Sequence, residues 1–177
     1  MAAIENVQLD ISVDCKDWAK ALPGYQNLIE KCIAVVSLKV SEGRALSKFA
    51  HIEVSFVLCG DKLIHQLNHS YRDKDKATNV LSFCGLDEME IEGYLKTDKT
   101  PENRPFSLGE VYIAYDTLKE EAKVASKSLE DHFQHLVIHG FLHLLGYDHI
   151  NDDEADTMES LETSLLSDLG IDDPYTA

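Results

Sequence analysis

Positive charge is scarce in this chain. Sixteen Lys and Arg stand against 32 Asp and Glu in 177 residues, a formal net charge of −16. That imbalance excludes binding to nucleic acid through a general basic surface, so any contact with phosphate must use a local positive site. Long apolar runs are also missing. The longest unbroken one, Cys32 to Val36, is far short of the roughly 20 residues that span a bilayer, and no membrane partner is expected. Cys15, Cys32, Cys59 and Cys84 contain no C-x-x-C pair. They read as scattered single thiols, which suits a reducing, cytoplasmic setting. The first ten residues carry acids and no basic region, so no secretory signal is expected. The sequon Asn68-His69-Ser70 then has no role. Linker-like stretches, internal repeats and low-complexity blocks are absent, which predicts one domain over residues 1–177.

What is present is ordinary for a globular protein: 44% hydrophobic and 27% charged residues. That length encloses a core without help from disulfides or a structural metal. Apolar residues alternate at Val7, Leu9, Ile11 and Val13, predicting a strand over Glu5–Val13. Further strands are predicted at His51–Leu58, Asn79–Phe83 and Gly109–Tyr115. Helical periodicity covers Leu28 to Val40, and further helices are predicted at Lys62–Asn68, Thr117–Lys127, Leu129–Leu145 and Asp152–Leu169, the last capped by Asp152 or Asp153. Asp87–Arg104 is polar, holds Pro101 and reads mostly as loop. The expectation is an α+β (mixed α/β) domain with a small mixed sheet of about four strands against about five helices. From Asp148 to Ala177 there are ten acids and no Lys or Arg. A solvated acidic helix face is the simplest account of that tail.

The informative segment is His139-Gly140-Phe141-Leu142-His143-Leu144-Leu145-Gly146-Tyr147-Asp148-His149. His139 and His143 are four apart, so on a helix their side chains lie one turn apart on one face. Gly146 tolerates the left-handed conformation that ends helices, which lets the chain return His149 to the same point. Three imidazoles and an open fourth position describe a catalytic zinc site, although other divalent transition metals suit the same set. The spacing matches the metzincin pattern H-E-x-x-H-x-x-G-x-x-H, giving a metzincin-like metal site. The metzincin Glu, however, is Gly140 here. Without that general base, peptide hydrolysis is disfavoured. His135 extends the same helical face and could contact substrate or support a ligand from behind. Asp148 reads as part of the turn and Met158 as core packing. Thr78, Asn79 and Ser82 offer polar groups at strand ends.

The segment His139–His149 resembles the H-G-x-L-H-L-x-G-Y-D-H signature of the YbeY family of metal-dependent endoribonucleases. Two further blocks are similar to that family: Leu67-Asn68-His69-Ser70-Tyr71-Arg72 followed by Ala77-Thr78-Asn79-Val80-Leu81-Ser82-Phe83, and Leu108-Gly109-Glu110-Val111-Tyr112-Ile113. Glu110 stands where the family usually has Asp, and Cys84 where it often has Pro. The resemblance implies that His139, His143 and His149 bind the metal, that Arg72 and His139 are catalytic, and that the substrate is single-stranded and ribosomal RNA rather than DNA. A role in small-subunit ribosomal RNA maturation and ribosome quality control is implied with it. Physical chemistry supports Arg72, since a guanidinium can clamp two oxygens of a phosphodiester as negative charge grows there. Lys74 and Lys76 complete the densest basic cluster and are candidate substrate contacts. The alternative is an assembly factor that binds a ribosomal protein or GTPase, with a mainly structural metal and an acidic C-terminal helix facing a basic partner.

Overall fold

The structure, a computed structural model, describes residues 5–97, 99 and 103–176. The first four residues of the segment read for a signal, and Pro101 in the predicted loop, lie outside the described residues. Four strands form one sheet in the order β1-β2-β4-β3: β1 (Val7–Val13), β2 (Ile52–Cys59), β3 (Val80–Cys84) and β4 (Phe106–Ala114). β1, β2 and β4 run parallel, while β3 pairs antiparallel with β4 at one edge. The four predicted strands are therefore present with ends shifted by at most three residues. Burial explains their sequence patterns. β1 is an edge strand whose Val7, Leu9 and Ile11 pack on the core while Gln8, Asp10 and Ser12 face out. Central β2 hides most of its residues.

Eight α-helices surround the sheet among the described residues, rather than five. The five long ones match the expected segments: α2 (Tyr25–Lys39), α4 (Asp61–Arg72), α6 (Tyr115–Val124), α7 (Leu129–Leu144) and α8 (Asp152–Asp168). The three others are short: α1 (Asp17–Ala21), α3 (Ser41–Ala45) and α5 (Glu88–Glu90), which continues into a π-helical turn at Ile91–Leu95. The stretch read as loop therefore carries structure. Asp87 and Glu90 form a reciprocal capping box, and Ile91 and Leu95 are buried. The cap of α8 is Asn151 rather than Asp152 or Asp153, with its side chain accepting from the Glu154 backbone N–H.

The two faces of the sheet differ. Val54, Phe56, Leu58, Val111 and Ile113 join α2, α7 and α8 in the main core, with Trp18, Phe133 and Phe141 fully buried. On the opposite face a smaller cluster of Cys59, Ile64, Leu81 and Ala114 seats α4. Met158 lies in the main core, 1% exposed. No helix is long and apolar enough to cross a membrane among the described residues. All four cysteines are free, and burial pushes the thiols of Cys59 and Cys84 up, Cys59 to about 12.

Candidate metal centre

The site begins with α7 lying across β3 and β4. Gly140 makes that approach possible. A Cβ added there would stand 2.5 Å from Val111 Cγ1 and 3.3 Å from Ser82 Oγ. The position occupied by Glu in metzincins thus points into the sheet, where no carboxylate fits. The edge strand holds α7 from below, with Ser82 Oγ donating to the Gly140 carbonyl at 3.2 Å and Cys84 Sγ to the His143 carbonyl at 3.3 Å.

α7 ends as expected at Gly146, whose φ is +96°. The Tyr147 N–H donates to the Leu142 carbonyl and the Gly146 N–H to the His143 carbonyl, the two bonds of a Schellman cap. The chain then turns back through Asp148, whose side chain accepts from the His149 backbone N–H. This return places one nitrogen each of His139, His143 and His149 within 4.8 Å of one another. His139 and His143 are half-buried, and His149 is exposed, so the cluster opens to solvent on the His149 side.

Hydrogen bonding decides which nitrogens face inward. His143 Nδ1 lies 2.8 Å from the Tyr147 carbonyl, which only accepts, so Nδ1 carries a hydrogen. His139 Nδ1 lies 2.7 Å from Glu162 Oε1 and donates to that carboxylate. The two Nε2 atoms then face each other at 3.1 Å. Neutral rings in these tautomers would oppose two lone pairs at that distance, which is repulsive unless a cation lies between them. The spacing is close to the ~3.3 Å that two nitrogens on one tetrahedral zinc ion keep. Burial, then the neighbouring His139 and His149 rings, push the His143 pKa down to about 4, leaving a neutral imidazole at ordinary pH, the form that a metal requires. The donor set therefore fits a borderline transition metal.

Glu162 escaped the sequence reading. Burial alone would raise its carboxyl, but hydrogen bonds from His135 and His139 outweigh that and hold it at about 2. The available signal was its position: Met158, Glu162, Leu165 and Leu166 form the buried stripe of α8, so an acid sits where apolar residues belong. His135 Nε2 lies 2.7 Å from Glu162 Oε2, so that nitrogen is turned into the protein rather than toward a ligand. Tyr147 donates to Glu42 on α3 at 2.9 Å, fixing the turn whose carbonyl holds His143.

Arg72, Lys74 and Lys76 are exposed at the end of α4, on the other side of β3 from α7. Arg72 makes no hydrogen bond with the three histidines. Its neighbour Tyr71 packs edge-on against Phe83 at 5.2 Å. Phe83 lies between Ser82 and Cys84, the residues that hold α7, so the basic cluster and the histidines flank the same edge strand. Asn68 organises this turn from a buried position. Its carbonyl accepts from the Lys74 N–H, and its side chain donates to the Lys76 carbonyl at 2.8 Å. Asn79 is held by Glu121 at 2.9 Å, so neither it nor Ser82 is a free polar group.

The fold and site together define a class: an α+β domain presenting an open three-imidazole cluster on a helix that crosses a mixed sheet. The chain belongs to the YbeY endoribonuclease family. The model of that family, described as endoribonuclease YbeY, matches residues 12–170. Endoribonuclease YbeY of Paramagnetospirillum magneticum is 40% identical over 171 residues, covering 96% of each chain. That of Francisella philomiragia is 44% identical over 151 residues, covering 85% of each. That of Agrobacterium fabrum is 41% identical over 179 residues, covering 99% of this chain and 96% of the relative. Among solved structures, the solution structure of TM1509 from Thermotoga maritima aligns with a TM-score of 0.48 at 19% identity, covering 96% of this chain and 100% of that one.

Proposed function

We propose that this protein is a metal-dependent endoribonuclease, with zinc the favoured ion, that cuts single-stranded segments of ribosomal RNA during small-subunit maturation and quality control in the cytoplasm. The observation that carries the metal assignment is the pair of inward-facing Nε2 atoms 3.1 Å apart, with His149 completing the set. Family membership supports the substrate. A bound ion would polarise a phosphate oxygen or acidify water. The chain's own residues supply the rest. His139, His143 and His149 hold the ion. Arg72 neutralises charge growing on the phosphate oxygens, and Lys74 and Lys76 draw the strand across the β3 edge. Gly140 supplies no carboxylate, which argues against peptide hydrolysis.

Elemental analysis of purified protein, paired with cleavage of unstructured RNA with and without chelator, tests the reading directly. Chelation should abolish cleavage and zinc should restore it. His143→Ala should lose bound metal and cleavage together, and full cleavage by the metal-free variant would overturn the proposal. A second reading has one observation in its favour: the solvent face of α8 presents Asp152, Asp153, Glu154, Asp156 and Glu159, a surface suited to a basic ribosomal protein or an assembly GTPase. Arg72→Ala separates the two. Loss of RNA cleavage supports the nuclease. Unimpaired RNA processing in cells favours the partner-binding role.

A further inference from the structure

We infer that Glu162 is the positioning residue of the metal centre, and that Tyr175, in the segment after α8, locks it there. The Glu162 side chain is 0% exposed, although its helix carries many freely solvated acids. A buried carboxylate is costly unless it is fully hydrogen-bonded, and this one is. Oε1 accepts from His139 Nδ1 at 2.7 Å. Oε2 accepts from His135 Nε2 at 2.7 Å and from the Tyr175 hydroxyl. Both oxygens are therefore committed, and every donor comes from a different turn or segment. The bond to His139 sets the tautomer: with Nδ1–H given to the carboxylate, the lone pair of Nε2 must face His143. The bond to His135 fixes the carboxylate plane from one helical turn earlier.

Tyr175 is not a loose end. Its backbone N–H donates to Asp173 Oδ1 at 2.9 Å, and Thr163 Oγ1 on α8 donates to the same oxygen at 3.2 Å. Lys127, at the turn before α7, donates to the Pro174 carbonyl. The segment after α8 thus straps across the α7–α8 seam and delivers a phenol to Glu162.

The consequence for metal affinity rests on the proposed reading of His139 as a ligand; the consequence for its tautomer does not. The test is Glu162→Gln, which keeps the side-chain volume but leaves one acceptor oxygen for three donors. Ring nitrogen NMR on the metal-free protein reads the tautomer of His139, and competition with a chromophoric chelator reads Zn²⁺ affinity. The parent protein should show His139 protonated at Nδ1. In Glu162→Gln that signature should be lost and Zn²⁺ affinity should fall about 10- to 100-fold. A folded Glu162→Gln protein with the parent tautomer and the parent affinity overturns the inference. Parent protein that binds no Zn²⁺ overturns the functional reading instead, while the tautomer measurement still decides the role of Glu162. Should Glu162→Gln not fold, Tyr175→Phe removes a single donor at the surface. It should weaken Zn²⁺ several-fold with an unchanged denaturation midpoint, and an unchanged affinity would count against the strap.

Discussion

At Gly140 the absence of a side chain has two effects at once. It removes the carboxylate that peptide hydrolysis would use, and it lets α7 settle onto Val111. Gly140→Ala should therefore destabilise by about 1–3 kcal/mol through overpacking, even though alanine favours helices. Denaturant titration measures this, and Val111→Ala in the same chain should recover much of the loss. An additive double mutant would show that the contact is not the cause. His143 makes a second prediction at this scale. Its folded pKa of about 4 lies below the ~6.5 of an unfolded histidine. Between these values the unfolded chain takes up a proton that the folded one refuses. Stability of the metal-free protein should thus fall as pH drops from about 6.5 to about 4, then cease to depend on this group. Melting curves across that range check it, with His143→Gln expected to flatten the slope.

At the scale of elements, the turn after α7 does the assembling. Gly146 holds φ +96°, and an added Cβ would meet Ile91 Cγ2 at 2.8 Å. Gly146→Ala should cost at least ~1–2 kcal/mol, since an L side chain resists the left-handed region. It should also weaken Zn²⁺ binding by displacing His149, and unchanged affinity would show that the return path tolerates another route. This turn was legible in advance because a glycine at the end of a long apolar period has one common meaning. The other long elements were legible for the same reason: Val7 to Val13 alternates, and α2, α7 and α8 repeat a 3.6-residue pattern over several turns. Elements shorter than two turns left no such trace. α1 and α3 are five residues each, and the turn at Ile91–Leu95 buries only its two ends. α4 runs on to Arg72 because its cap, Asp73, is a left-handed residue other than glycine, which no stop signal announced. The histidine trio was readable from spacing. Glu162 showed only as an acid on the apolar stripe of α8, and Tyr175 and Glu42 left no signal, because their roles arise from contacts between distant segments.

For the molecule as a whole, charge governs how RNA is met. A chain of net charge −16 repels a polyanion on the whole, and on the proposed reading Arg72, Lys74 and Lys76 supply the local positive contacts. Three such contacts on a single strand release counterions with a slope of about −2 in log K against log salt, at roughly 0.7 per contact. Filter binding or fluorescence anisotropy at several salt concentrations measures the slope. Arg72→Ala should make it shallower by roughly 0.7, whereas a parent slope steeper than about −5 would require a different binding surface.

The hydrogen bond from Tyr147 to Glu42 spans 105 positions along the chain. Its partners become neighbours only after the N-terminal third has docked beside the C-terminal helices, so the order of events during refolding is constrained by closure of a very long loop. On the proposed reading of the histidine trio, ion capture is then expected to come late. A chromophoric ion added during refolding should register after burial of Trp18, and so would serve as a clock for completion rather than as a nucleus for collapse.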